Sequence, residues 1–491
     1  MLQYLKEQAN KVYTENGAIT NETTFSDCLD LFATIGAIRR EKDKEIQSRF
    51  IKAFIEDKDM ATKILFYSRD VRGGLGERKV FRVILDYLAN NYQETVIKNL
   101  SYIAEYGRYD DILCLIGTPC EEQALKFLKE QFDVDVQNMK EDKEISLLAK
   151  WLPSVNASNK QTVLKGKKVA KYFGMNDATY RKTLTKLRAY LKIIENNLRK
   201  KDYTFDYEKQ PSKAMFKYRK AFLRNDQDRY NDYISKVEKG EAKLNASTLA
   251  PYELVEPYMS TYSYSLKKLS KKEKEVLNAT WKSLPDYGTD ENAIAVIDTS
   301  GSMYCYSKPI PASVALSLGL YFAERNKGYF KNHFIEFSSR PQLIEIKGES
   351  FADKLSYVAS FSEVANTNVE SVFNLILKTA VKNKLPQSEL PTKLYLISDM
   401  EFDAVVDNAE LSVFENAKKK FEKHGYVLPT IVFWNVASRN RQQPVTKDEK
   451  GVVLVSGCTP KLFSMVASGD TNPLKFMIDV LSSERYAKIT A

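Results

Sequence analysis

Near residue 290 the spacing of the apolar side chains changes, and that change limits the possible folds more than any other feature of the chain. From the start to about Ser283, apolar residues recur at steps of three and four, interrupted by short Gly, Pro or Asn breaks, the pattern of amphipathic helices. Candidate helices fall at 42–56, 78–91, 121–131, 179–200, 212–225 and 271–283. Roughly seven helix pairs would fit at the ~40-residue period of HEAT-like arrays, although no internal repeat is visible. After a polar stretch at 260–265, one last helix and a turn-rich segment at 285–292, short runs rich in Val, Ile, Leu and aromatics appear at 293–297, 333–337, 393–397, 428–434 and 452–455. They alternate with helical stretches near 311–326, 368–383, 411–424, 460–467 and 473–483, which argues for a parallel sheet covered on both faces. Ligands of such folds collect at the carboxyl ends of the strands. The expectation is an α + α/β chain, all-helical over 1–285 and Rossmann-like, doubly wound, over 290–491.

Composition removes several function classes. A chain of 491 residues is too long for one ordinary core, and 43% hydrophobic with 28% charged residues is globular usage. No run of about 18 apolar residues occurs, and the opening MLQYLKEQANK lacks the basic-then-apolar order of a secretory signal, so a cytoplasmic protein without membrane contact is expected. Cys28, Cys114, Cys120, Cys305 and Cys458 are scattered with no C-x2-C pair, which fits reduced core thiols. With only His333 and His424, neither a multi-histidine metal centre nor a histidine-activated nucleophile is supported, and no G-x4-G-K-[S/T] loop is present.

The net charge of +10 is concentrated. Residues 151–200 carry twelve Lys and Arg against two Asp and Glu, a surplus equal to that of the whole chain. Lys160, Lys165, Lys167, Lys168 and Lys171 lead into the helix expected over 179–200, where Leu184, Leu187, Leu191, Ile194 and Leu198 form one apolar stripe. Arg181, Arg188, Lys192 and Arg199 share a face beside it. Such a stripe could follow a nucleic-acid backbone, with any exposed aromatic available for stacking; a plain solvated face is the alternative. The interleaved Tyr172, Phe173, Tyr180 and Tyr190 are read as core. The turn Arg69-Asp70-Val71-Arg72-Gly73-Gly74-Leu75-Gly76-Glu77-Arg78 has glycines that permit positive φ. It is read as an interhelical turn with Asp70 and Arg72 in local ion pairs, phosphate docking being the weaker alternative.

The apolar run ending at Ile297 continues directly into Asp298-Thr299-Ser300-Gly301-Ser302, which places a carboxylate and hydroxyls on one tight loop at a strand's carboxyl end. Hard oxygen donors of this kind suit Mg2+, or another divalent cation such as Mn2+ or Ca2+, and leave coordination positions open. The bland alternative is a polar strand-to-helix turn capped by the aspartate. Asp298, Ser300 and Ser302 resemble the D-x-S-x-S metal-ion-dependent adhesion site of von Willebrand factor A domains. That resemblance implies two further ligands, a threonine and an aspartate from later loops, for which Thr367 and Asp399 stand in the right order. Glu401 and Asp403 are read as solvated loop residues. Ser300 as a hydrolytic nucleophile finds no base nearby in sequence and no G-x-S-x-G frame.

Five stretches of the helical half, Phe66-Tyr67-Ser68-Arg69-Asp70-Val71-Arg72-Gly73-Gly74, Tyr106-Gly107-Arg108-Tyr109-Asp110-Asp111, Lys150-Trp151-Leu152-Pro153-Ser154, Tyr180-Arg181-Lys182-Thr183-Leu184 and Lys220-Ala221-Phe222-Leu223-Arg224-Asn225-Asp226, resemble the family termed domain of unknown function 2828. Phe433-Trp434-Asn435 and Leu454-Val455-Ser456-Gly457 continue the likeness. The layout is similar, more distantly, to the Ro (TROVE) ribonucleoproteins, in which HEAT-like repeats join a von Willebrand factor A domain. That similarity implies a non-enzymatic scaffold for structured or small non-coding RNA, with Lys165, Lys167, Lys168, Lys171, Arg181, Arg188, Lys192 and Arg199 as candidate contacts. Two alternatives stay open: a metal-dependent protein-interaction module that accepts a partner's Asp or Glu, for instance from an ATPase, and a metal-dependent phosphodiesterase, disfavoured because a single ion with neutral ligands activates water weakly.

Overall fold

The computed structural model describes residues 1–260, 266–305, 308–337, 340–361, 368–404 and 411–491. The N-terminal half is not all-helical as expected. Strands β1 (Lys11–Tyr13) and β2 (Ile19–Asn21) form an antiparallel hairpin before the first long helices. Helices then follow from Asp27–Thr34 to Lys271–Lys282, several started by the side-chain caps their sequences offer. Ser26 accepts from the Leu29 N–H, Asp57 from Met60 and Asn176 from Thr179. The single helix expected over 179–200 is two, Asp177–Tyr190 and Ile194–Lys200, because Lys192 takes a positive φ and Ile193 is extended.

The C-terminal half is a six-stranded sheet among the described residues: β3 (Ala293–Asp298), β4 (His333–Phe337), β5 (Leu343–Glu345), β6 (Lys393–Ser398), β7 (Thr430–Asn435) and β8 (Val452–Ser456), ordered β5-β4-β3-β6-β7-β8. All neighbours are parallel except the short edge strand β5. The chain winds outward from β3 to β4 and then returns to the other side at β6, so the carboxyl ends of β3 and β6 flank the point where the winding reverses. Two elements absent from the sequence reading, β5 and the helix Phe351–Ala359, complete this half.

Side chains alternate across the sheet and bury two faces. Ala295, Ile297, Tyr395, Ile397, Val432 and Trp434 face one way, into a core continuous with that of the N-terminal helices. Ile294, Val296, Leu394, Leu396, Ile431 and Phe433 face the other, under the helices Val369–Asn383 and Val413–Lys423. The helical half is fastened at both ends. Asp27–Thr34 packs on β8, and Gly36 N–H donates to Ser456 Oγ at 3.0 Å. At the far end, Trp281 stacks on Phe351 at 4.3 Å between centroids and donates to Glu324 at 2.6 Å.

The final residues return to the helices. Asp70, fully buried, receives a fork from Arg485, whose Nη2 lies 2.6 Å from Oδ1 while Nε donates to Oδ2; the Tyr486 hydroxyl donates to Oδ2 at 2.9 Å. The local Asp70–Arg72 ion pair expected from the turn is therefore replaced by one reaching across the chain, and the Arg72 guanidinium donates to the Glu105 carbonyl instead. Of the turn's three glycines only Gly76 has positive φ, whereas Gly74 is required by contact, since a Cβ there would lie 2.0 Å from the Tyr67 carbonyl oxygen.

Burial alone would raise the Asp70 carboxyl; hydrogen bonds from Arg485 and from the backbone N–H groups of Gly73 and Arg72 outweigh it and hold the group below its ordinary range. A carboxyl depressed in the folded state adds stability above its unfolded value of ~3.9, and that stability is lost as the pH falls further toward the folded value. Arg485→Gln is expected to lower the unfolding free energy by about 3 kcal/mol at pH 7, the low end for breaking a buried pair because Arg485 is one-third exposed. Urea melts at pH 7 and below pH 4 check this, and the difference between the proteins should shrink in acid.

Candidate functional site

At the reversal point two carboxylates meet. Asp298 ends β3 and is buried; its Oδ1 accepts from the Ser300 N–H at 2.9 Å and its Oδ2 from the Ser398 hydroxyl at 2.5 Å. Ser300 Oγ and Ser302 Oγ lie 3.2 Å apart on the loop that follows. Asp399, one residue past β6, is also buried and accepts from Arg439 Nη2 at 3.0 Å. Burial, and then the charge of Asp399, push the Asp298 carboxyl up to about 7. The structure thus brings Asp298, Ser300, Ser302 and Asp399 to one strand edge, while Thr367 lies outside the described residues.

These donors fit a hard cation of modest coordination demand, with two carboxylates whose mutual repulsion an ion would relieve and two neutral hydroxyls. Among the described residues no group of three or more His, Cys, Asp or Glu side chains could hold a metal.

Glu401, expected as a solvated loop residue, is buried and is the centre of a clamp. Its carboxylate accepts from the Glu15 N–H, from Asn440 Nδ2 and from Gln442 Nε2, each at 2.8 Å. Around it the β1–β2 turn docks on the loop after β6: Thr14 Oγ1 donates to the Phe402 carbonyl at 2.6 Å and Asn16 Nδ2 to the Glu401 carbonyl at 2.7 Å. The signal for this hairpin was present in Asn16-Gly17, a turn pair between two short alternating runs.

The second feature is an open cavity of about 2540 Å³ lined by residues of both the helical half and the sheet half. Among the described residues, eighteen Lys and Arg line it against five Asp and Glu, a surplus larger than that of the whole protein. Several of the acids already have partners: Glu77 pairs with Arg39, Glu253 with Lys213 and Asp206 with Lys209. Trp151 also lies on the wall, with the Arg108 guanidinium 4.0 Å above its ring.

The sequence-expected cations divide into two groups. Arg181, Lys192 and Arg199 are exposed on the cavity wall. Arg188 reaches the wall too, but its guanidinium donates to the carbonyls of Ala149 and Leu152 and to Ser154 Oγ at 2.7–2.9 Å. Lys165, Lys167, Lys168 and Lys171 lie off the cavity: Lys165 donates to the Leu113 carbonyl, Lys168 pairs with Glu121 at 2.6 Å and Lys167 with Asp177 at 3.7 Å. Phe173 and Tyr180 are core, as read. Sequence reasoning missed Arg78, Lys150, Lys209, Lys217 and Lys461, which reach the wall from separate elements and form no local run.

Comparison with known proteins follows the same division. The family model described as "Domain of unknown function (DUF2828)" matches residues 14–124 and 123–287, and "Domain of unknown function (DUF7788)" matches 292–475. A relative from Acanthamoeba polyphaga mimivirus, "Uncharacterized protein L728", is 29% identical over 515 residues, covering 96% of this chain and 87% of that one. Among solved structures, the Ro (Rsr) protein of Deinococcus radiodurans aligns over 90% of this chain and 92% of that one, at 12% identity and a TM-score of 0.42.

The two kinds of wall cation should separate in stability. Arg188→Met, which removes three hydrogen bonds from a charged donor, is expected to destabilise by about 2–3 kcal/mol, whereas Arg181→Ala should stay within about 0.5 kcal/mol. Chemical denaturation of both variants checks this.

Proposed function

The chain belongs to the family described as domain of unknown function 2828, and we propose that it is a non-enzymatic RNA-binding scaffold whose ligand enters the cationic cavity. The observation that carries this reading is the lining: eighteen cationic side chains against five acidic ones line one cavity, and the surplus left after local ion pairing would be neutralised by a polyanion. A concave wall suits a single strand or an unpaired loop rather than a duplex. Arg181, Lys192 and Arg199 are the contacts assigned to phosphate, and Arg188 is assigned to holding residues 149–154. Among the described residues no helix is long and apolar enough to cross a membrane.

Reversing Arg181, Lys192 and Arg199 together to Glu is expected to weaken binding of a structured RNA about 100-fold at 0.15 M salt and to reduce the log–log salt slope by about 2, since each single-strand phosphate contact contributes ~0.7. Reversing Lys167 and Lys171, off the cavity, should change affinity by less than about twofold on the same physical grounds. Filter binding across a salt series, with RNA and DNA of the same sequence, checks the assignment. Equal losses in both variants would refute it.

A second reading is favoured by the oxygens at the winding reversal. The C-terminal half acts as a von Willebrand factor A domain in which Asp298, Ser300, Ser302 and Asp399, with Thr367, hold Mg2+, Mn2+ or Ca2+. The ion would supply an open coordination position for a partner's carboxylate. Calorimetric titration with Mn2+ should show one site per chain, and Asp298→Asn should abolish it while leaving RNA affinity unchanged.

A further inference from the structure

The Asp399 carboxylate is buried and requires a positive neighbour, because an uncompensated buried charge is strongly unfavourable. Arg439 meets that need, though incompletely. Its Nη2 lies 3.0 Å from Asp399, its Nη1 2.9 Å from the Glu15 carboxylate at the tip of the hairpin, and its Nε is buried with no hydrogen-bond partner among the described residues. Elsewhere in the same protein an arginine is seated on a buried carboxylate through a full fork, as Arg485 is on Asp70. Arg439 instead spreads one guanidinium end-on over two carboxylates that are nearly four hundred residues apart in the chain. That is the weaker geometry, since parallel paired N–H···O bonds are the stronger arrangement.

We infer that Arg439 is the resident counter-ion of the cation site, that it competes with a divalent ion for Asp399, and that this competition ties ion binding to docking of the N-terminal hairpin. The inference rests on the cation reading given above. An ion bound by Asp298, Asp399 and the serine hydroxyls brings two positive charges to the carboxylate Arg439 touches, so ion and guanidinium repel and only one can be seated there. Glu15 holds Arg439 in place from the other side, and Asn440, the next residue, donates to both Glu15 and Glu401. Expelling the guanidinium from Asp399 therefore loosens the contacts that pin residues 14–17 to the loop after β6. By reciprocity, whatever secures the hairpin weakens ion binding by the same factor.

The test uses the full chain and Mn2+ alone, with Mg2+ as a second ion. Arg439→Gln should bind Mn2+ about tenfold more tightly than the natural protein and Glu15→Gln about threefold more tightly, within the span of ordinary coupling between sites. Arg439→Lys, which keeps the charge, should fall between Arg439→Gln and the natural protein. In the unsubstituted protein, Mn2+ should accelerate hydrogen exchange at the Glu15 and Gly17 amides without changing exchange in the helix Lys58–Arg69, a readout that needs no variant to fold. If Mn2+ binds with equal affinity in the natural protein and Arg439→Gln, or if hairpin exchange is indifferent to the ion, the inference falls and the cation site stands. If neither the natural protein nor Arg439→Gln binds Mn2+, the cation site falls and the inference with it.

Discussion

The placing of the helices beside the sheet rests on a charge pair that ties the last residues of the chain to the N-terminal helices. Asp70 sits at the close of the helix Lys58–Arg69 with no exposure, and Arg485 reaches it from a point 415 residues away. Because the acid is sealed from water, the pair is screened far less than a surface bridge. Around it the last residues settle on the helices: the Tyr106 hydroxyl donates to the Arg485 carbonyl, and Asn99 donates to that of Thr490. With the other end held by Trp281 against Phe351 and Glu324, the helices form an arc tied to the sheet half at both ends. An arc fixed at both ends can hold like charges facing one another across a gap.

That constraint matters because the wall is electrostatically unfavourable by itself. Cations gathered around one volume oppose the compact state, and stability must come from elsewhere. Here it comes from a core shared by the helices and one face of the sheet, in which Phe32, Tyr67 and Phe476 from both halves touch. Arg69 and Arg82 on Asp111 add a second buried network behind the wall.

How much of this could be read in the sequence depends on how local each signal was. The change of period near 290, the strand running into Asp298 and the strand running into Asp399 are each carried by a run of consecutive residues, and the two aspartates stand at neighbouring strand ends. The 179–200 stripe was half legible. Its apolar spacing continued through the break, and nothing in Leu191-Lys192-Ile193 announced that Lys192 would turn left-handed. Asp70 and Arg72 looked like a pair because they are close in sequence, yet the partner that desolvates Asp70 fully comes from the far end of the chain. Glu401 looked solvated for the same reason, since Glu15, Asn440 and Gln442 are all remote from it in the chain. The cavity was legible only in part: the basic run at 151–200 supplies Arg181, Lys192 and Arg199, whereas Arg78, Lys150, Lys209, Lys217 and Lys461 are single residues on other elements that the fold brings together.

The arc also decides what can approach the sheet. In open parallel sheets the carboxyl edge is where ligands settle, and here the first fifty residues cover much of it. The hairpin lies on residues 401–404, Arg49 donates to Ser438 Oγ and the Asn440 carbonyl, Glu45 receives Arg441, and Arg40 donates to Cys305 Sγ at 2.8 Å. The uncovered part of that edge opens into the cavity, whose wall includes Lys308, a few residues beyond Ser302, and Thr459, Pro460 and Lys461 after β8. Ser302 and Lys308 thus stand six residues apart in the chain, one at each of the two proposed sites. The two proposed sites are therefore adjoining parts of one strand edge, divided by the N-terminal residues that land on it.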